Sequence, residues 1–205
     1  MEETILHKYL LIKNPSKSAY LFSPIMVELL HLVAEVPREV LAKTRIFPRS
    51  PGRYIPFYSA YKGGGAITLG SDTWQSITFT ENFFSTDNDL FRGRAYANNF
   101  YTWLHLAAHE AGHLLHANRF KFILVYLLVF AYQYLKFGHD AAPLEIEAEL
   151  GNTRLKQFRA YLTSQEGPHF LKELITSERD SKEKIQQLNY LWIEYQATIS
   201  NPNQA

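Results

Sequence analysis

The chain has 205 residues, of which 46% are hydrophobic and 15% aromatic, and this is ample material for a sizeable buried core. Its formal net charge is +1 with acidic and basic residues interspersed, so the overall balance gives no electrostatic case for binding nucleic acid or an anionic membrane surface. The chain has no cysteine, and its first residues lack the basic and apolar regions of a signal peptide. A cytoplasmic location is therefore expected.

The first part of the chain predicts helices followed by loops. Ser23 is a good N-cap and Pro24 suits the first turn of a helix that Pro37 interrupts or ends. A second helical piece is predicted up to Lys43. Residues 46–65 are rich in Pro, Tyr and Gly, and this composition favours extended segments and loops.

The next segments predict a hairpin and then a series of helices. Stretches 66–70 and 76–80 alternate in β-prone residues and predict a short antiparallel hairpin. A polar loop, 81–99, follows. Helices are then predicted at 99–118, 121–137, 143–164, 168–178 and 180–199. No repeat or low-complexity linker appears, so we expect one domain over 1–205, made of an N-terminal helical and loop segment (1–60), a core with the functional site (61–165) and C-terminal helices (166–205).

One stretch, 122–135, is apolar enough to raise the question of a membrane. It is flanked by Lys121 and Lys136. It is too short to span a bilayer comfortably, because spanning takes about 20 apolar residues. The sequence predicts a buried core helix there, with monotopic attachment to a membrane as the alternative.

The segment His109-Glu110-Ala111-Gly112-His113 has the H-E-x-x-H pattern. Residues four apart share a helix face, so His109 and His113 can direct two imidazoles at one metal ion, for which zinc is the natural choice. Glu110 would stand beside the metal and accept a proton from a water that the metal activates. The alternative is that both histidines are hydrogen-bonded core residues of an ordinary amphipathic helix.

A catalytic zinc site usually has three protein ligands, so a third ligand must come from elsewhere. The metzincin pattern is excluded, because His116 stands where its glycine would be and Arg119 where its last histidine would be. Glu145 and Glu149 share one face of a downstream helix, with Glu147 turned away. A carboxylate from this helix is the natural third ligand, although Glu145 could instead complement the helix dipole or cap the helix, and Glu149 could be a solvated surface charge.

The order H-E-A-G-H, an apolar helix and then E-x-x-A at 145–148 resembles the gluzincin group of zinc metallopeptidases. It is similar also to bacterial neutral zinc metallopeptidase domains, in which an A-I-T-L-G-like strand precedes the motif and a P-x-E-x-E-A stretch follows it. The resemblance covers roughly residues 65–158. It implies His109, His113 and Glu145 as ligands of one zinc ion and Glu110 as the base. Its signal is more specific for a zinc site than for peptide hydrolysis.

Three further histidines are candidates for supporting roles. His105 and His116 lie about one turn from the ligand pair, and helix geometry places them too far along the axis to complete the same tetrahedral site. We expect these two histidines either to support the ligands from behind or from the cleft, or to have plain packing or surface roles. Glu149 is a candidate for the same supporting role or for an alternative ligand. His139, in the turn before the Glu145 helix, could orient a ligand or stabilise an oxyanion.

The sequence thus predicts an α+β, mostly helical domain with a small antiparallel sheet packed over the metal helix, as in zincins. The expected function is zinc-dependent hydrolysis of a peptide or protein substrate, with Glu110 as general base. In gluzincin-like sites an edge strand lines the cleft, where a substrate peptide could add as a further strand. The alternative is a non-catalytic module in which zinc staples the helices together.

Overall fold

The computed structural model describes residues 5–14, 19–47, 66–79, 90–91, 94–95 and 100–200, and these residues are mostly helical. The helices are α1 (Ile5–Leu10), α2 (Pro24–Ala34), α3 (Arg38–Lys43), α4 (Phe100–Arg119), α5 (Ile123–Phe137), α6 (Pro143–Glu166), α7 (Phe170–Thr176) and α8 (Ser181–Ser200). The strands are β1 (Leu11–Lys13), β2 (Tyr20–Phe22), β3 (Arg45–Phe47), β4 (Ala66–Gly70), β5 (Gln75–Phe79), β6 (Leu90–Phe91) and β7 (Arg94–Ala95). The helices predicted from residue 24 onward are confirmed, with their ends moved by a few residues.

Five of the strands form one sheet in the order β1-β2-β3-β5-β4, and β6 pairs with β7 separately. The predicted hairpin is confirmed as the antiparallel pair β4–β5, in which Thr68 faces Ile77. The prediction of an antiparallel sheet is wrong in one respect, because β3 runs parallel to β5 and the sheet is mixed. Strands β1, β2 and β3 have three residues each, too few to show the alternation from which strands are predicted. The predicted loops 48–65 and most of 81–99 lie outside the described residues.

The hydrophobic core joins the helices to one face of the sheet. Trp103 of α4 stacks on Phe79 of β5, with ring centroids 5.4 Å apart, and meets the edge of the Phe22 ring of β2. Helix α2 supplies a fully buried stripe that includes Met26, Leu29, Leu30 and Val33. This packing fixes α4 between the sheet and the remaining helices, with β4 lying along it.

Helix α5 differs from its prediction. The sequence predicts a buried helix, since it is apolar all round, but within α5 Tyr126 is the only buried residue. Leu124, Leu128 and Leu135 are 64%, 62% and 85% exposed. The helix contacts the protein along one narrow side, and a continuous apolar pattern does not show which side that is. None of the helices in the described ranges is both long enough and apolar enough to cross a bilayer.

Candidate metal centre

Helix α4 carries the two histidines of the motif on one face. His109 and His113 are four residues apart, and their rings meet edge to face with centroids 5.0 Å apart. His113 is buried and His109 is partly exposed at the mouth of the site. Trp103 and Leu104, about one and a half turns before His109, anchor the helix in the core. The local helix geometry therefore places both imidazoles at one point without help from other elements.

Helix α6 brings the carboxylates to α4 because the two backbones approach closely. A Cβ added to Gly112 would stand 2.6 Å from the Cα of Ala148, and one added to Gly151 would stand 2.8 Å from the carbonyl oxygen of Ala108. Both distances are too short for any side chain. The small residues on both helices thus let the short arm of Glu145 reach the histidines.

Three side chains converge between these helices. The Oε2 atom of Glu145 lies 3.2 Å from Nε2 of His109 and 3.5 Å from Nε2 of His113. Despite this proximity, Oε2 of Glu145 is buried without a hydrogen bond of acceptable geometry. Buried polar atoms that converge without satisfying one another are what a metal ion would satisfy. His109, His113 and Glu145 form a group that could hold a metal ion.

Glu110 stands beside this group and is fixed from the sheet. Its side chain is 4% exposed. The hydroxyl of Thr68, on β4, lies 2.7 Å from Oε2 of Glu110 and 3.0 Å from its backbone oxygen, so it can donate to either. Thr68 is not among the site residues predicted from the sequence. Its signal was present, since a polar residue stands on the inward face of β4 between Ala66 and Gly70.

Glu149 contacts His109 on the side of the ring that faces away from Glu145, and it does not join the three converging atoms. Its Oε2 lies 3.0 Å from Nδ1 of His109, and its Oε1 accepts hydrogen bonds from Asn152 and Lys156. Asn152 also contacts Nδ1 of His105 through its side-chain oxygen at 2.9 Å. Of the two carboxylates predicted on one face of α6, Glu145 therefore joins the converging group, whereas Glu149 contacts the far nitrogen of His109 and orients its ring.

The remaining predicted histidines lie at the edges of the site. His116 is buried, and its Nε2 lies 2.9 Å from Oε2 of Glu147, which also receives a hydrogen bond from Arg119. This cluster ties the end of α4 to the start of α6. His139 lies across the mouth of the site, with Nε2 3.8 Å from Oε2 of Glu145 and Nδ1 3.0 Å from Asp140. His105, His116 and His139 are not members of the converging group.

The titrating groups of the site lie close enough together to shift one another's pKa. Burial opposes protonation of His109, but the carboxylates of Glu145, Glu110 and Glu149 outweigh it and raise the pKa of His109 to about 9. Burial alone would raise the pKa of Glu145, yet the two neighbouring imidazoles hold it well below its usual range. Burial and then the charge of His113 lower the pKa of His116 to about 4. The converging group therefore contains an ionised carboxylate, which suits a cation.

The site opens to solvent on one side and has an aromatic wall on another. A cleft of about 390 Å³ adjoins the group and is lined by His109, His139, Asp140, Glu145, Ile146, Glu149, Leu150 and Thr153. On the α5 side, the ring of Phe130 lies 6.2 Å from that of His113. Burial, followed by the charges of Glu110 and Glu145, raises the pKa of the Tyr126 hydroxyl. No feature of the sequence distinguished Tyr126 and Phe130 from the rest of the apolar stretch.

Comparisons of the chain with protein-family models, with curated proteins and with solved structures give no match. The function of this chain is therefore inferred from the geometry of the site and from its motifs.

Proposed function

We propose that this chain is a zinc-dependent hydrolase of the gluzincin type, most simply a metallopeptidase. The observation that carries the proposal is the convergence of His109, His113 and Glu145 on one point, with Glu110 held next to it and a cleft open beside it. An open cleft favours catalysis over the alternative of a structural zinc staple, because structural sites are closed by a fourth protein ligand.

The donor set fits zinc. Two imidazole nitrogens and one carboxylate oxygen are the ligands of a well-known class of catalytic zinc sites, whereas Ca²⁺ and Mg²⁺ favour sites made of oxygen atoms. When bound, the ion would polarise the scissile carbonyl and lower the pKa of water. The contact from Glu149 would fix the tautomer of His109, leaving Nε2 free to bind.

Glu110 would act as the general base. The Thr68 hydroxyl engages one oxygen of its carboxylate, and this contact orients the other oxygen to take a proton from water. The same carboxylic acid would then deliver the proton to the leaving amine. Because Glu110 is buried, it needs such a contact to keep one geometry through both steps.

A peptide substrate would lie along β4. In the described part of the chain β4 is the outermost strand of the five-stranded sheet, and it packs against α4 through Thr68 and Glu110. An extended peptide could pair with such a strand through main-chain hydrogen bonds. This pairing would present the scissile carbonyl to the group formed by His109, His113 and Glu145.

The first test combines metal analysis with a Glu110→Gln variant. Protein prepared without chelator should contain about one zinc per chain, as a three-ligand site requires. Glu110→Gln should retain that zinc but lose at least about 100-fold in hydrolysis of a peptide library followed by mass spectrometry, because the base is gone while its shape is preserved. Glu173→Gln, a matched change at an exposed position on α7, should retain both. Unchanged turnover in Glu110→Gln, or a metal-free chain that resists zinc titration, would contradict the proposal.

A second test distinguishes the two glutamates of α6. Glu145→Ala should weaken zinc binding by at least about 10-fold, since the loss of a direct ligand costs no less than the loss of a group that orients one. Glu149→Ala should weaken it less, because His109 would lose only its orienting contact. Competition with a chelator of known affinity measures both variants. The reverse order of the two losses would mean that Glu149 is the ligand.

A further inference from the structure

The outward side of α5 is a stripe of apolar side chains exposed to solvent. Leu124, Leu128, Ala131 and Leu135 follow one another at intervals of four, three and four residues, so they share one helix face. We call them the leucine stripe. The leucines are 62–85% exposed, while Tyr126 and Phe130, on the other side, face the metal centre. An exposed apolar patch of this kind marks an interaction site.

Within the segment 120–137 the charged residues are all positive. Lys121 precedes the helix and Lys136 lies in its last turn, and the sequence has no acidic residue between Arg119 and Gly138. Arg119 is paired with Glu147. Acidic residues lie just beyond the two ends of the segment, at Asp72, whose backbone N–H donates to the carbonyl oxygen of Phe120, and at Asp140, which is paired with His139. The two lysines are therefore the charges that the segment itself contributes. Their ammonium groups lie 5.8 Å from the ring of Phe122 and 5.5 Å from that of Tyr132. The near-neutral balance of the whole chain thus conceals a basic, apolar helix.

This charge pattern argues against a second copy of the chain as the occupant. If two α5 helices packed antiparallel through their leucine stripes, Lys121 of each copy would approach Lys136 of the other. A parallel pair would bring like lysines together. The segment contains no acid to offset either repulsion, and like charges placed together disfavour a partner.

The dimensions and the charge fit the surface of a membrane. The leucine stripe is about 17 Å long at 1.5 Å per residue, which is far less than the roughly 30 Å hydrocarbon core of a bilayer. A helix of this length lies in the plane of the interface, with leucines in the acyl boundary and lysines beside the headgroups. We propose that α5 docks this protein on an anionic lipid surface through the leucine stripe, with Lys121 and Lys136 contacting the acidic headgroups.

Docking in this way would hold the metal centre at the membrane. The ring of Phe130, on the opposite side of α5 from the stripe, lies 6.2 Å from the His113 ring. The thickness of one helix would then separate the site from the lipid, about 10 Å. The proposal does not depend on hydrolysis, because it uses residues outside the metal group.

The absence of cysteine allows a site-specific test on the full chain. Leu128→Cys, labelled with an environment-sensitive fluorophore, is compared with Ile193→Cys on α8, a position that is 68% exposed. Vesicles of phosphatidylcholine alone and with phosphatidylserine at about three to one are added to each. The label at 128 should shift to the blue with the anionic vesicles and recover in high salt, while the label at 193 should not shift. Equal shifts at both positions, or no shift at 128, would overturn the proposal.

Co-sedimentation with the same vesicles supplies the second measurement. A Leu124→Ser/Leu128→Ser/Leu135→Ser variant should lose at least about 10-fold in binding without losing thermal stability, since these side chains are exposed in the folded chain. Lys121→Glu/Lys136→Glu should lose the preference for anionic vesicles, and Ile193→Ser should bind like the wild type. A wild-type chain that binds neither vesicle, or a dimer that the triple serine variant dissociates, would refute lipid docking.

Discussion

The close packing of Gly112 on α6 predicts that a single methyl group will impair the metal centre. In Gly112→Ala the new Cβ would stand 2.6 Å from Cα and 2.8 Å from the carbonyl oxygen of Ala148, where ordinary contacts are 3.4–4 Å. Both atoms belong to the main chain of α6 and cannot rotate away. Helices α4 and α6 must therefore separate by about 1 Å at this point.

The separation acts directly on the ligands. Glu145 lies one turn before Ala148, so it would move with this part of α6, away from nitrogens that are now 3.2 and 3.5 Å from its Oε2. A zinc site tolerates deviations of only about 0.2 Å in its bond lengths. We expect zinc affinity to fall by at least about 10-fold. The free energy of unfolding should fall by less than the overpacking alone would cause. Overpacking costs about 1–3 kcal/mol, and roughly 1 kcal/mol of this is offset because alanine favours a helix more than glycine does.

Two measurements check this reasoning. Zinc affinity is measured by competition with a chelator, and the free energy of unfolding of the metal-free protein is measured with denaturant. Adding Ala148→Gly should not restore affinity, since the atoms that clash remain in the main chain. If Gly112→Ala binds zinc like the wild type, then α4 and α6 can separate without moving Glu145, and the close approach is not what sets the site.

Two further predictions concern Thr68 and the ion pair of Glu28 with Arg38. Thr68→Val keeps the shape of the side chain but removes the donor to Glu110, so turnover should fall about 10-fold or more with zinc content unchanged, as kinetics and metal analysis would show. Arg38 donates two hydrogen bonds to Glu28, and these contacts, against the effect of burial, lower the pKa of Glu28 from its ordinary 4.5. Arg38→Met should therefore cost about 1–3 kcal/mol at neutral pH. Because folding lowers the pKa of Glu28, the loss of unfolding free energy in Arg38→Met should shrink as pH falls below 4.5. Denaturant curves measured at several pH values test this. A loss that grows as pH falls would show that the pair does not depend on an ionised Glu28.

Parts of the site that are local in sequence could be predicted, and those that need distant contacts could not. His109, Glu110 and His113 follow from the geometry of one helix, and the shared face of Glu145 and Glu149 follows from that of another. Which of the two glutamates joins the converging group, and which one contacts Nδ1 of His109, depends on how α6 packs along α4. The sequence gives no measure of that register.

The same distinction explains what was missed in the fold. Thr68 lies 42 residues before Glu110, and no local pattern connects the two. The N-terminal strands are too short to show a period. Helix α5 was predicted to be buried because a helix that is apolar all round is usually covered on every side. Its exposure is a property of its neighbours, which meet only the face that holds Tyr126.

The proposed metal position and the proposed base are supported by different elements, so metal binding and catalysis should be separable. The candidate ligands His109, His113 and Glu145 come from α4 and α6 alone, and Gly112, with Ala148 opposite, sets the distance between those helices. Glu110 also belongs to α4, but its carboxylate is oriented from β4. A change in the helix pair should therefore affect metal affinity first, whereas a change in the strand should affect turnover with the metal retained. A purely structural zinc site does not need the contact between Thr68 and Glu110. A Thr68→Val variant that loses turnover but keeps its zinc would therefore favour an enzyme over a structural zinc site.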